Sequence, residues 1–422
     1  MNITLLNGTV VAVFACAATY IYFRKEEFFK AYRKARSAID FIRLLTTVFK
    51  ERRRLSDEKS EHYHRKGIIY YWDKAVEQFA HKDFVVASEE GGKSYSFLES
   101  DRLANKVANA LMATFGFDQS RKGHTIPILL CNEPFYVICC LGIWKAGLCA
   151  SLLNNASRGK SLAHILRLSF EQNDQKNKNV LIIDFSYLDK LEYDDVAEVL
   201  RKFKVAVSVV NSRKVNEHVK GISFVSMDDI LSTSSISKPE YINNIDWARD
   251  KALIMFTSGT TGLPKAAPIG HKRLFGGGQL LKIFGKTSSN DRLYCVLPLY
   301  HSVAMLTGVA SCIFTGSSLV IRKKFSASNF AREIFLNQCT IFLYIGELAR
   351  YVLHANVNVE LSTKCKHTLR LAFGVGMRAD VWKKFQSTYD CEVMEYCKSF
   401  PLTFKLWTEM HSYMLCRILS LN

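Results

Sequence analysis

From residue 83 onward the chain alternates short apolar runs with longer amphipathic stretches. Residues 83–88 read as a strand, 89–93 as a turn with Gly91 and Gly92, and 94–96 as a short return strand. Residues 98–115 place Leu103, Val107, Ala110, Leu111 and Phe115 near every third or fourth position, which predicts a helix. A buried strand follows at 126–131, a buried helix at 133–146, a strand at 151–154, a helix at 161–171 and a strand at 180–184. Residues 294–297 and 318–321 predict two more strands with an apolar helix between them. Alternation of strands and helices predicts an α/β fold, with parallel or mixed sheets flanked by helices. Residues 231–245 are small and polar and read as a surface linker.

The N-terminal pattern is different. Residues 3–23 are apolar except for Asn7 and a few Thr and Tyr, long enough to cross a bilayer core. No Lys or Arg precedes them, and Arg24 and Lys25 follow at once. The positive-inside rule then predicts a single-pass anchor over residues 1–23, with the rest of the chain in the cytosol. A cleaved signal peptide is the alternative, although its amino side would lack side-chain charge. Residues 24–66 form a basic juxtamembrane segment in which apolar and basic residues alternate at helical spacing, as in Phe28, Phe29, Lys30, Tyr32, Arg33 and Lys34. This is either an amphipathic helix lying on the membrane or an ordinary helix packed on the globular part.

Composition narrows the class. The 422 residues are 48% hydrophobic and 23% charged, enough for a large core in more than one subdomain. A formal net charge of +18 suggests anionic partners such as membrane lipids or phosphorylated substrates. No zinc-finger spacing or RNA-binding aromatic string accompanies it, so nucleic acid is not expected as a partner. The 12 cysteines form no C-x-x-C pair, which points to reduced thiols facing the cytosol and to no Cys/His metal site.

The chemistry concentrates in one stretch, Phe256-Thr257-Ser258-Gly259-Thr260-Thr261-Gly262-Leu263-Pro264-Lys265, which follows an apolar run. Gly259 and Gly262 let the main chain approach a ligand closely. Hydroxyls and free backbone N–H groups donate to phosphate oxygens, and Lys265 adds a mobile positive charge. The spacing is not that of a Walker loop.

This string resembles the ATP-binding loop of the adenylate-forming (AMP-binding) enzymes. Further strings narrow the resemblance: Leu297-Pro298-Leu299-Tyr300-His301-Ser302, Tyr344-Ile345-Gly346-Glu347-Leu348-Ala349-Arg350-Tyr351, and Phe373-Gly374-Val375-Gly376-Met377-Arg378-Ala379-Asp380-Val381-Trp382. Together with the apolar N-terminus they are similar to fatty acid transport proteins, also called very-long-chain acyl-CoA synthetases. The resemblance runs from about residue 1 to about residue 396 and is weakest near 171–225. It implies the large N-terminal domain of the adenylate-forming fold over 67–396.

It also implies a long-chain fatty acid–CoA ligase that uses ATP, Mg²⁺ and coenzyme A and traps imported acids as thioesters. The endoplasmic reticulum, the plasma membrane or the peroxisome would house it. Thr257, Ser258, Gly259, Thr260, Thr261, Gly262 and Lys265 would hold the nucleotide, with Thr260 and Lys265 carrying catalysis. Gly374 and Gly376 would let a strand end lie close to the adenine or the acyl chain. Tyr300 and His301 would border the acyl site, although His301 equally suits a satisfied core position. Tyr344 to Tyr351 has a plain alternative, a strand entering a helix with Glu347 and Arg350 solvated.

After Glu395-Tyr396 the family pattern continues with a glycine-rich motif whose glutamate holds Mg²⁺. Cys397-Lys398-Ser399-Phe400-Pro401-Leu402 stands here instead, and the tail over 397–422 is unlike the family. The small C-terminal domain is expected to be absent. A catalytically inactive membrane protein that binds fatty acid or regulates partners is therefore the alternative function.

Overall fold

The structure is a computed structural model that describes residues 67–118, 122–173, 179–211, 222–239, 245–246, 249–257, 262–355, 365 and 368–395. All of these belong to one compact unit of the chain. The expected anchor (1–23), the basic segment (24–66) and the tail (397–422) lie outside the described residues. Among the described residues no helix is long and apolar enough to cross a membrane.

The described elements run in the order α1 (Ile68–Phe79), β1 (Asp83–Ala87), β2 (Ser94–Ser96), α2 (Phe97–Phe115), β3 (Thr125–Leu129), α3 (Pro134–Lys145), β4 (Cys149–Leu152), α4 (Gly159–Phe170) and β5 (Asn179–Asp184). A short 3₁₀ segment at Phe185–Glu192 leads to α5 (Asp194–Lys202), β6 (Val205–Val210), β7 (Phe224–Ser226), α6 (Met227–Thr233), β8 (Lys251–Thr257), β9 (Lys265–Gly270) and α7 (His271–Phe284). Then come β10 (Arg292–Cys295), a π-helix (Val303–Val309), α8 (Ala310–Thr315), β11 (Ser318–Ile321), α9 (Phe330–Leu336), β12 (Ile341–Ile345), α10 (Gly346–His354), β13 (Leu371–Val375), α11 (Ala379–Tyr389) and β14 (Glu392–Glu395).

The strands form two seven-stranded sheets. The first has the order β14-β13-β12-β10-β11-β1-β2 and the second β7-β6-β5-β3-β4-β8-β9. Every pairing is parallel except the edge pairs β1–β2 and β8–β9. The inner strands are buried on both faces, which explains why they read as unbroken apolar runs. In the first sheet Phe342 meets Phe330 of α9 and Phe385 of α11 at ring separations of 4.8 and 6.0 Å. The second sheet packs Leu181, Ile183 and Val207 against Leu162, Leu166 and Leu200 of α4 and α5.

Local signals account for the helix starts. Ser96 Oγ accepts from Glu99 N at 3.2 Å while the Glu99 carboxylate accepts from Ser96 N at 2.8 Å, a closed capping box at the head of α2. Pro134 starts α3, which is buried on nearly every side, as an all-round apolar helix requires. Helices α1, α2 and α3 share one charge cluster. Asp101 Oδ1 accepts from Trp72 Nε1 at 2.7 Å and pairs with the buried Lys145 ammonium at 2.8 Å. A buried cation needs such a partner.

The expected linker at 231–245 is corrected in its first part. Leu231 to Thr233 finish α6, and the chain beyond is strapped to α2. Asn105 Nδ2 donates to Ile236 O at 3.0 Å, and Asn109 Nδ2 donates to Ser235 O and Ser237 O at 2.8 and 2.9 Å. Small polar composition marked exposure here, and the asparagines of α2 supplied fixed partners.

The first turn of α1 is capped from afar. Ile68 N donates to Nδ1 of His271, a buried residue at the head of α7, at 3.1 Å. Burial pushes the His271 pKa down to about 4, below the ordinary value of 6.5. The unfolded chain therefore binds the extra proton between those values, and stability is lost as pH falls from about 6.5 toward about 4. The loss is expected to approach roughly 3 kcal/mol. Urea unfolding at pH 7.5 and pH 4.5 checks this: His271→Gln should show a distinctly flatter pH dependence than the wild type, and equal slopes would contradict it.

Candidate active site

A parallel strand hands its chain to the next loop at its carboxyl end, and the candidate residues gather at those ends. In the second sheet β8 ends at Thr257 and its antiparallel partner β9 begins at Lys265, with these two residues in register. The described ends of the phosphate-type stretch thus stand side by side as the limbs of a hairpin at the sheet's rim. Thr257, Gly262 and Lys265 are exposed there. Gly262 has φ +97°, which disfavours any side chain. Ser258, Gly259, Thr260 and Thr261 lie outside the described residues. On the carboxyl limb, Pro264 O accepts from Nε2–H of His164 on α4 at 3.0 Å, so the backbone just before Lys265 is held in place.

In the first sheet, β10 leads to Tyr300 and His301. The two rings stand 4.5 Å apart and tilted, with Tyr300 half-buried and His301 exposed. His301 N donates to Pro298 O at 2.9 Å and Met305 N to His301 O at 3.1 Å, which fixes the backbone on both sides. Partial desolvation lowers the His301 pKa, favouring the neutral imidazole. His301 is therefore not a core histidine. Tyr136 of α3, near enough to Tyr300 to feel its charge, is fully buried, and its hydroxyl has no hydrogen-bond partner among the described residues. The chain then enters the buried π-helix, a form often found beside functional sites.

Gly374 lies near the end of β13, beside the end of β12, and Gly376 follows β13. Gly374 pairs with Tyr344, and a methyl at Gly374 would collide with the Tyr344 carbonyl. Gly376 turns the chain with φ +75°, and its carbonyl lies so close to Gly346 that a methyl there would strike it. Backbone packing within the first sheet thus demands glycine at 374 and 346, and the positive φ favours it at 376. The string from Tyr344 is a strand running into α10, with Glu347 and Arg350 exposed and paired at 2.7 Å. Glu395, on the edge strand β14, locks this corner. Its Oε1 accepts from Met377 N and from the buried Tyr344 hydroxyl. Sequence reading did not single out Glu395 or His164, because each acts through a contact distant in the chain.

This arrangement suits an anionic ligand along the hairpin rim and an apolar or aromatic one beside Tyr300. It fits phosphates: Thr257, Gly262 and Lys265 are exposed at the hairpin's described limbs. For Mg²⁺ the fit is poorer. Among the described residues no group of three or more His, Cys, Asp or Glu side chains is arranged to hold a metal ion, and Glu395 is occupied with the Met377 backbone.

The match to known proteins agrees with this geometry. Residues 72–397 match the family of AMP-binding enzymes. Long-chain fatty acid transport protein 2 of Rattus norvegicus is 32% identical over 335 residues, covering 79% of this chain and 50% of that protein. A medium/long-chain-fatty-acid–CoA ligase of Mycobacterium tuberculosis is 32% identical over 293 residues, 68% of this chain and 44% of that one. The chain spans about half the length of the curated relatives it matches. Among solved structures, an anthranilate CoA ligase bound to anthranoyl-AMP superposes with a TM-score of 0.67 at 20% identity, over 79% of this chain and 60% of that one. A fatty acyl CoA synthetase of Mycobacterium tuberculosis gives 0.59 at 19% identity, over 78% and 58%. At such identities the structures speak for the fold.

The glycine contacts predict opposite signs for one substitution. Gly346→Ala drives a methyl into the Gly376 carbonyl and should lower stability by roughly 1–3 kcal/mol. Gly276→Ala, on α7 with open space around it, should raise stability by roughly 0.5–1 kcal/mol. Urea midpoints measure both, and a tolerated Gly346→Ala would show that the corner yields.

Proposed function

The chain belongs to the AMP-binding enzyme family, and on that premise we propose that it activates long-chain or very-long-chain fatty acids through an acyl-adenylate. The carrying observation is the Thr257–Lys265 hairpin standing at the same sheet ends as the Tyr300–His301 loop. A carboxylate oxygen of the fatty acid attacks the α-phosphorus of ATP. The new P–O bond forms as the bond to the bridging oxygen breaks, and pyrophosphate leaves with the negative charge. Lys265, with Ser258, Thr260 and Thr261 of the same stretch, would supply the donors for that charge, and donors fixed before the reaction stabilise it most effectively. Mg²⁺, when bound, would neutralise part of the phosphate charge. Tyr300 and His301 border the acyl site, where partial desolvation of His301 favours its neutral form. The coenzyme A thiol then attacks the acyl carbonyl, and AMP leaves as the thioester forms.

The names of the relatives support the substrate class. Residues 3–23 would anchor the chain in a membrane with its catalytic part on the cytosolic side, at the endoplasmic reticulum, plasma membrane or peroxisome. Uptake would follow from trapping, because a charged thioester does not recross the bilayer as the acid does. A second reading is binding without chemistry. It rests on the Cys397–Leu402 string, which replaces the metal-binding pattern just where the family match stops.

ATP–pyrophosphate exchange with palmitate separates the two. The synthetase reading expects acid-dependent exchange, reduced roughly 100-fold in Lys265→Ala. Absence of exchange with retained binding of palmitate would establish the binding-only reading.

A further inference from the structure

A buried side chain links the two sheets. Asn132 follows β3 of the second sheet, is 7% exposed, and spends its whole amide on loops of the first sheet. Its Oδ1 accepts from Leu299 N at 2.8 Å. Its Nδ2 donates to Arg322 O at 2.8 Å and, at a longer 3.4 Å, to Leu297 O. Leu297 and Leu299 follow β10 and lead directly into Tyr300 and His301; Arg322 follows β11. The Arg322 end is itself immobilised. Its guanidinium pairs with the buried Glu333, which also accepts from Tyr294 Oη at 2.7 Å and Ser88 Oγ at 2.8 Å. Beside this contact the next residues repeat the link at the surface, where Lys323 Nζ meets Glu133 at 2.6 Å.

We propose that Asn132 is a positioning residue: it sets the Tyr300–His301 loop of one sheet relative to the phosphate hairpin of the other. The inference rests on the acyl-adenylate reading of those two segments. An amide fits the task because one end must accept and the other donate. A buried apolar side chain would fill the volume yet leave Leu299 N–H and the Arg322 carbonyl without partners. Two donations from one rigid amide to loops of different strands fix both distance and angle. The reacting carboxylate oxygen and α-phosphorus must stand about 3–3.5 Å apart in line, and a misplacement of about 1 Å can cost about 100-fold, so drift of one loop is costly. Asn132 touches no reacting atom and acts only through Leu297–His301.

The test uses the full chain with Asn132→Ala, the near-isosteric Asn132→Asp, and Glu133→Gln as a surface control, since an exposed pair such as Glu133–Lys323 contributes little. Asn132→Asp keeps acceptance from Leu299 N and turns a carboxylate oxygen toward the Arg322 carbonyl. Hydrogen exchange of the unliganded protein should accelerate roughly tenfold or more in peptides covering 297–301 for both Asn132 variants, with 262–270 unchanged. Affinity for a sulfamoyl analogue of palmitoyl-AMP should fall roughly tenfold or more, while AMP alone binds within about twofold of wild type. Glu133→Gln should change neither. Unchanged exchange at 297–301, or equal losses for both ligands, would assign Asn132 a merely structural role and overturn the proposal. If the wild type binds no analogue, the acyl-adenylate reading fails, and with it the positioning role; accelerated exchange would then show only a structural link.

Discussion

A parallel strand delivers its next loop only at its carboxyl end, so a reaction that draws residues from two parallel sheets requires those ends to face each other. This chain meets that constraint with two seven-stranded sheets and a polar contact across them. The phosphate hairpin comes from β8 and β9, and the aromatic–histidine pair from the loop after β10. Neither segment could be moved to the amino ends of its sheet without reversing the strands. The location of the site thus follows from topology before any side chain is considered.

Rigid scaffold and open rim divide the work. At Gly346 and Gly374 two backbones come so close that no side chain fits, and Glu395 ties the turn to the edge strand. The buried Glu333 gathers Arg322, Tyr294 and Ser88, which repays the cost of taking a carboxylate out of water. Against this fixed frame the hairpin's described limbs are exposed at Thr257, Gly262 and Lys265, and the carboxyl limb is held by His164. A loop that wraps phosphates needs free backbone groups, and exposure of Gly262 and Lys265 is what that requires.

Much of this was legible in the chain. Apolar runs such as 126–131 and 180–184 named the inner strands, because strands buried on both faces need no alternation. The spacing of Leu103, Val107 and Leu111 named the helix α2, whereas its Ser96–Glu99 capping box and the hairpin pairing of Thr257 with Lys265 came only from the structure. The order of strands within each sheet was not legible, since it depends on pairings between residues more than a hundred apart, such as Val85 with Leu319. The corner glycines were read as room for a ligand, whereas they first answer a neighbouring backbone. Asn132, His164 and Glu395 carry no local signature, because an isolated asparagine, histidine or glutamate acquires meaning only from a distant partner. The readings of residues 1–66 and 397–422, and of Ser258 to Thr261, fall on parts of the chain outside the described residues.

The central claim is that one ligand spans the carboxyl ends of both sheets. Hydrogen exchange of the wild-type protein with and without a sulfamoyl analogue of palmitoyl-AMP tests it most directly. The account predicts protection in three separate segments at once: 257–265, 297–301 and 371–377. Protection confined to the hairpin, or to one sheet alone, would contradict it.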